Sequence, residues 1–167
     1  MPQWIYSGAH VDLETPLSTG MVVALSSGHH DFTPCSDVAN SANPKGHRIE
    51  TNINLENKAG DVVLQISIRR AQNVVLFNAK AKNSVLDGWG QPESVPMNLI
   101  NPSPSTSGLT ILVCDRGDKY QILFNLTTVH YFVKRREGAA CLVKYEDKSC
   151  DKPTPTLSPT LLVSVPI

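Results

Sequence analysis

Residues 64–94 read LQISIRRAQNVVLFNAKAKNSVLDGWGQPES, and the alternation in this stretch decides the fold class. Leu64, Ile66 and Ile68 fall on one side of an extended chain, with Val63, Gln65, Ser67 and Arg69 on the other, because successive side chains of a strand point to opposite faces. After a short link at 70–72, Val75, Phe77 and Ala79 repeat the apolar side, while Val74, Leu76, Asn78 and Lys80 take the opposite one. A period of two on both sides of a tight link predicts an antiparallel pair with one face in a core. Its second face brings Gln65, Ser67 and Arg69 within cross-strand reach of Asn78. The run then delivers Trp89 beside a glycine, so a row of hydrogen-bonding side chains ends at an aromatic ring.

The same punctuation extends outward in both directions. Short apolar or alternating runs, each followed by Gly, Pro, Asn, Asp or Ser, predict strands at 3–6, 21–27, 48–55, 61–69, 73–80, 109–114, 119–124, 128–134, 139–145 and 160–166. No segment carries a helical stripe. KAGD at 58–61, RRAQN at 69–73, DRGDK at 115–119 and REG at 136–138 have hairpin length. The longer breaks at 28–47, 95–108 and 146–159 are Pro- and Ser-rich loops, since neither side of any of them holds a core alone. The expectation is one all-β domain over residues 1–167, a sandwich of two antiparallel sheets with a shared core and wet outer faces.

Composition narrows the function classes. Lys plus Arg and Asp plus Glu are both 15 and the pI is about 6.9, so the chain offers no field for phosphate backbones or anionic membranes. Nucleic acid is excluded as a partner on that ground. No run reaches the roughly 18 apolar residues of a spanning helix, which excludes membrane insertion by that route. The opening MPQWIYSGAHVDLETP has no basic and apolar leader pattern, so synthesis in the cytosol without a signal peptide is expected. Cys35, Cys114, Cys141 and Cys150 form no CxxC pair and are read as free thiols, Cys114 as a small core residue.

Amide, hydroxyl and guanidinium groups together suit a polyol, whose hydroxyls donate and accept at once. An indole complements them, because a pyranose presents a face of C–H bonds that can lie on the ring. A merely solvated outer sheet face carries the same residue types, and a lone Trp can equally be part of a core. Other signals are weaker. RGD at 116–118 lies inside a hairpin turn, and NLT at 125–127 reads as a turn. His29, His30, Asp31 and Cys35, with His47 further on, match no metal-ligand spacing. KRRE at 134–137 reads as a solvated strand end. Asp115, Asp118, His130 and Glu146 include acid and base types, yet no GxSxG, HExxH or phosphate loop accompanies them. No catalytic residue, metal or cofactor is expected.

From Asp61 to Tyr145 the chain resembles the fungal galectins, a branch of the β-galactoside-binding lectins. VVLQISIRRAQNVVLFNAK is similar to their paired binding strands, written His-x-Asn/Ser-x-Arg and then Val-x-Asn. DGWG resembles the start of their Trp-x-x-Glu-x-Arg segment, and VCDRGDKYQILFNLTTVHYFVKRREG their downstream hairpin. VDLETPLSTGMVV resembles their opening strands. The resemblance implies a galectin-type jelly-roll sandwich of the concanavalin A-like kind, without catalysis, metal or cofactor. It implies carbohydrate binding by Gln65, Ser67, Arg69, Asn78, Trp89 and Glu93, with Gln65 where the family has His. Pro92 and Ser94 stand where it has Glu and Arg, and Glu93 lies one position off. Two charged groups are thus replaced, which predicts an altered preference, toward N-acetylglucosamine-containing glycans such as chitooligosaccharides. The alternatives are an ordinary β-galactoside-binding galectin and a galectin fold that serves as an interaction module without sugar binding. The resemblance also implies oligosaccharide or glycoconjugate partners, a homo-oligomer (dimer or tetramer), and an extracellular or cell-wall destination reached without a signal peptide.

Overall fold

The alternating stretch forms the two strands it predicts, and the core is built from their apolar side. A computed structural model describes residues 1–34, 50–84, 86–100, 108–148 and 156–165. In chain order its strands are β1 (Gln3–Tyr6), β2 (Ala9–Leu17), β3 (Val22–Ser27), β4 (Glu50–Asn57), β5 (Val62–Arg69) and β6 (Val74–Lys80). There follow β7 (Glu93–Pro96), a single helical turn α1 (Met97–Ile100), β8 (Leu109–Asp115), β9 (Lys119–Phe124), β10 (Thr127–Val133), β11 (Ala140–Lys148) and β12 (Thr160–Ser164).

These strands form two six-stranded sheets, ordered β1-β12-β3-β8-β9-β10 and β2-β11-β4-β5-β6-β7. Every pairing is antiparallel. The inner faces bury Leu64, Ile66, Val75 and Phe77 of one sheet against residues such as Val113, Ile122 and Phe132 of the other, in one continuous cluster. Each such side chain contributes about 1.5–3 kcal/mol on burial, so the sandwich holds its outer faces in place from within.

Two predictions are corrected in detail. Val63, which strict alternation puts beside Gln65, is buried in the core, because the register of β5 slips between Val62 and Gln65 against β6. The 134–139 link has hairpin length but joins β10 and β11, which lie in different sheets, so it crosses from one to the other. By contrast NLT is a turn, with Asn125 and Leu126 at φ 48° and 68° joining β9 to β10, and Arg116 N donates to Lys119 O inside the RGD hairpin. Cys114 is a buried free thiol and Cys141 a partly exposed one, whereas Cys35, Cys150 and His47 lie outside the described residues.

Strands β2 and β7 are absent from the sequence-predicted set. Both are edges of the same sheet, and both contain proline, Pro16 and Pro96, which an edge tolerates and a central strand does not. Exposed on most of its positions, β2 shows too little apolar alternation to be read.

Candidate functional site

The outer face of the second sheet gathers the polar side of the opening stretch into rows that cross the strands. Asn78 of β6 sits opposite Gln65 of β5, Gln65 opposite Asn54 of β4, Asn54 opposite Lys144 of β11 and Lys144 opposite His10 of β2. The neighbouring row runs Ser94, Leu76, Ser67, Asn52, Glu146. One row further, Arg69 is paired by charge with Glu50.

Arg69 is fixed within this sheet. Its Nε lies 3.2 Å from Glu50 Oε2 and donates to Ser67 Oγ at 3.2 Å. Ser67 is sealed, at 0% exposure, while Arg69 and Gln65 are half-buried. Glu50 thus supplies a carboxylate beside Arg69. Sequence reasoning missed it, because its only signal is its place beside Arg69 in a register that cannot be read before β4 is paired.

Trp89 is presented by a loop closed at its base. Trp89 bridges Lys80, Ala81 N donates to Gly88 O at 3.0 Å, and Gly90 N donates to Ala79 O at 3.1 Å. Gly88 has φ +81° and a Cβ there would lie 2.3 Å from Ala81 O, so no other residue fits before the indole. Lys80 Nζ stands 5.4 Å from the indole centroid, a cation–π distance.

Beyond Trp89 the strand bulges. Gly90, Gln91 and Pro92 separate Trp89 from Glu93, whereas only Ala79 and Asn78 separate their partners Lys80 and Phe77. One extra residue exchanges the faces, so Ser94 lies on the outer side opposite Leu76 and Glu93 shares the side of Phe77. Glu93 therefore does not join Gln65, Ser67, Arg69, Asn78 and Trp89 on the outer face. Its Oε1 lies 3.1 Å from His130 Nε2 and its Oε2 2.6 Å from Arg135 Nη2. Asn78, 7% exposed, fills the gap of the bulge, with Nδ2 donating to Gly90 O at 2.9 Å.

Toward β2 the face continues as a pocket of about 150 Å³ lined by His10, Asn52, Asn54, Lys144 and Glu146 among others. The buried Oδ1 atoms of Asn52 and Asn54 have no hydrogen-bond partner among the described residues. Three cations of the face have carboxylate partners: Lys144 Nζ is 3.0 Å from Glu56, Lys148 Nζ is 3.3 Å from Glu146, and Arg69 meets Glu50. No group of three or more His, Cys, Asp or Glu side chains is placed to hold a metal among the described residues.

A two-sheet sandwich with such a face is the architecture of a lectin, and the comparisons agree. Residues 18–143 match the profile of the family described as galactoside-binding lectin, and the chain belongs to that family. It is 35% identical to Galectin-2 of Coprinopsis cinerea over 121 residues, 70% of this chain and 74% of that one. It is 30% identical to the anti-tumor lectin of Cyclocybe aegerita over 142 residues, covering 84% and 82%. Galectin-1 of Coprinopsis cinerea is 37% identical over 87 residues, so the chain spans only about half, 53%, of that relative's length. The crystal structure of the Caenorhabditis elegans galectin LEC-6 superimposes with a TM-score of 0.62 at 16% identity, covering 96% of this chain and 95% of that one, which establishes the galectin sandwich. Membership of a lectin family makes the chain a binding protein and not an enzyme.

Proposed function

We infer that the outer face of β5 to β7 binds a neutral oligosaccharide, free or on a glycoconjugate, and prefers N-acetylglucosamine-containing chains such as chitooligosaccharides to plain lactose. The observation that carries this reading is a hydrogen-bonding comb whose cations Arg69, Lys144 and Lys148 each have a carboxylate partner, ending at the indole of Trp89. Such a surface offers directional donors and acceptors with most of its charge paired, Lys80 beside the indole being the exception, which suits hydroxyl and acetamido groups better than an anionic polymer. Gln65, Arg69, Asn78 and Trp89 make the contacts, while Ser67 braces Arg69 from below. The shift in preference rests on Gln65, whose amide both donates and accepts toward an equatorial hydroxyl or an acetamide, and on Pro92 and Ser94, which carry no charge.

A second reading, ordinary β-galactoside binding, is favoured by one feature: Arg69 retains a carboxylate, Glu50, to orient its guanidinium. A glycan array spanning β-galactosides, N-acetyllactosamine, LacdiNAc and chitooligosaccharides, with Trp89→Ala beside the native chain, separates the two. Binding to chitooligosaccharides that Trp89→Ala abolishes supports the first reading, and a lactose-led profile supports the second. Silence across the array sinks both and leaves a galectin fold that serves as an interaction module. Self-association as a dimer or tetramer belongs to the same proposal, since linked sites turn weak affinity into avidity. Trp4 and Tyr6, 62% and 66% exposed on edge strand β1, are its best surface candidates, and sedimentation equilibrium reads the outcome.

A further inference from the structure

We propose that Arg135, from the link between β10 and β11, is a positioning residue for the sugar face: it turns the Asn78 amide so that the site presents a hydrogen-bond donor beside Trp89. The proposal rests on the carbohydrate-binding reading of that face. Arg135 Nη1 donates to Asn78 Oδ1 at 3.2 Å and to Gln91 O at 2.6 Å, and Nη2 meets Glu93 Oε2 at 2.6 Å. Its Cζ lies 4.8 Å from the ring centroid of Phe132, in the opposite sheet. Glu93 is held in turn by His130, whose ring stacks on Phe77 at 4.6 Å. The guanidinium thus reaches the back of the bulge from the other sheet, restrained by charge, by an aromatic face and by a strand-end carbonyl.

The amide's orientation follows from its partners. Ala79 N–H and Arg135 can only donate, so the atom they both meet must be the Asn78 oxygen. Gly90 O can only accept, so it takes one Nδ2 hydrogen at 2.9 Å. The second Nδ2 hydrogen has no acceptor among the described residues. A ligand group at that point must therefore accept: a sugar hydroxyl or ring oxygen presenting a lone pair while its C–H face lies on the indole. Gly90 makes room for the arrangement, because a Cβ there would stand 2.9 Å from Arg135 Nη1 and 3.3 Å from Asn78 Oδ1. Arg135 meets Glu93, the Asn78 amide and the Gln91 carbonyl, so it and Glu93 act on the face through Asn78 and the bulge.

The test uses Arg135→Ala, Glu93→Gln and Asn78→Asp, each in the full chain. Three readouts apply: the side-chain amide signals of Asn78 and the indole signal of Trp89 in 15N-labelled protein, affinity for the strongest glycan on the array, and thermal unfolding. Arg135→Ala is expected to move the Asn78 and Trp89 signals and weaken binding about tenfold, with Glu93→Gln moving the same signals less. Asn78→Asp is the sharper variant, since it removes the outward donor while keeping the Arg135 partner, although it also sets a carboxylate oxygen against the Gly90 carbonyl. Its unfolding temperature should fall modestly, the charged pair with Arg135 offsetting part of the lost Gly90 bond, while glycan affinity falls at least about tenfold. Native binding in Asn78→Asp overturns the donor assignment, and unchanged Asn78 and Trp89 signals in both Arg135→Ala and Glu93→Gln overturn the positioning role. If Arg135→Ala does not fold, Glu93→Gln and Asn78→Asp still decide. A native chain that binds no glycan defeats the carbohydrate reading alone, and the amide and indole signals then judge the role of Arg135 by themselves.

Discussion

Arg69 and Asn78 lie on neighbouring strands of one sheet face, yet the chain holds them in different ways. Arg69 is held within its own sheet by Glu50 of β4 and by Ser67 two residues back. Asn78 is held by the Ala79 N–H and the Gly90 carbonyl of its own sheet and, in addition, from outside by Arg135, which packs on Phe132 of the second sheet and leans on Glu93. The Arg69 end is thus local and depends on one strand register, whereas the Asn78 end depends also on how the two sheets close on each other. On the carbohydrate reading proposed above, the difference separates two tasks: a charged grip on the ligand that withstands loosened packing, and an orienting contact that reports the packing.

The largest effect should follow from removing the grip itself. Arg69→Ala should lower glycan affinity by about ten- to a hundredfold, the loss of about 1.5–3 kcal/mol expected for charged hydrogen bonds, measured by titration calorimetry. Glu50→Gln should fall between that variant and the native chain, about three- to tenfold weaker, because a neutral amide still meets Arg69 but no longer holds it by charge. A Glu50→Gln chain as impaired as Arg69→Ala would mean that Arg69 acts only when oriented, and the two ends would then differ less than the geometry says.

The glycines around Trp89 sharpen the contrast. Gly88→Ala sets a Cβ against the Ala81 carbonyl at positive φ, so it should cost about 1–3 kcal/mol of stability, read by denaturant unfolding. Gly90→Ala meets only the far end of Arg135 and the Asn78 amide, both of which can move. Its stability should change by less than about 1 kcal/mol while glycan affinity drops, because the displaced guanidinium no longer holds the amide. A Gly90→Ala chain that binds normally would show that the Asn78 end tolerates the displacement.

The sequence made the central strands legible because β5 and β6 are half-buried hairpin partners, where one face must be apolar and a short turn leaves a single register. Gln65, Ser67, Arg69 and Asn78 were readable for the same reason, and Trp89 through the glycines beside it. Edge strands β2 and β7 were not, since exposure removes the alternation that reveals a strand. Glu93 fell one position from the expected carboxylate, and the bulge is what gives that shift its structural meaning: the side chain goes to Phe77's side. Glu50 and Arg135 were out of reach, because each acts through a neighbour far away in sequence. A cross-strand partner and a sheet-crossing link become visible only once both sheets are assembled.

The smallest effect lies away from the face, in the contrast between two aspartates. Asp61 is held below the usual carboxylate range by the Lys82 backbone N–H and the Asn57 side chain, so its contribution is present at neutral pH and lost as pH falls through its lowered pKa. Asp147, at the far end of β11, is pushed the other way, chiefly by burial, although Thr51 donates to it. Its raised pKa means that stability is fully present below about 3.8 and declines as pH rises through the folded value, where the buried carboxyl must ionise. Asp147→Asn removes that ionisation, so its unfolding temperature relative to the native chain should rise from pH 4 to pH 7. Glycan affinity should be unmoved over the same range, because the side chains of β11 placed on the outer face are Lys144, Glu146 and Lys148, not Asp147. A gain in stability that instead grew toward low pH would mean that Thr51 and the neighbouring cations outweigh burial at Asp147, and that the carboxylate is a stabilising group.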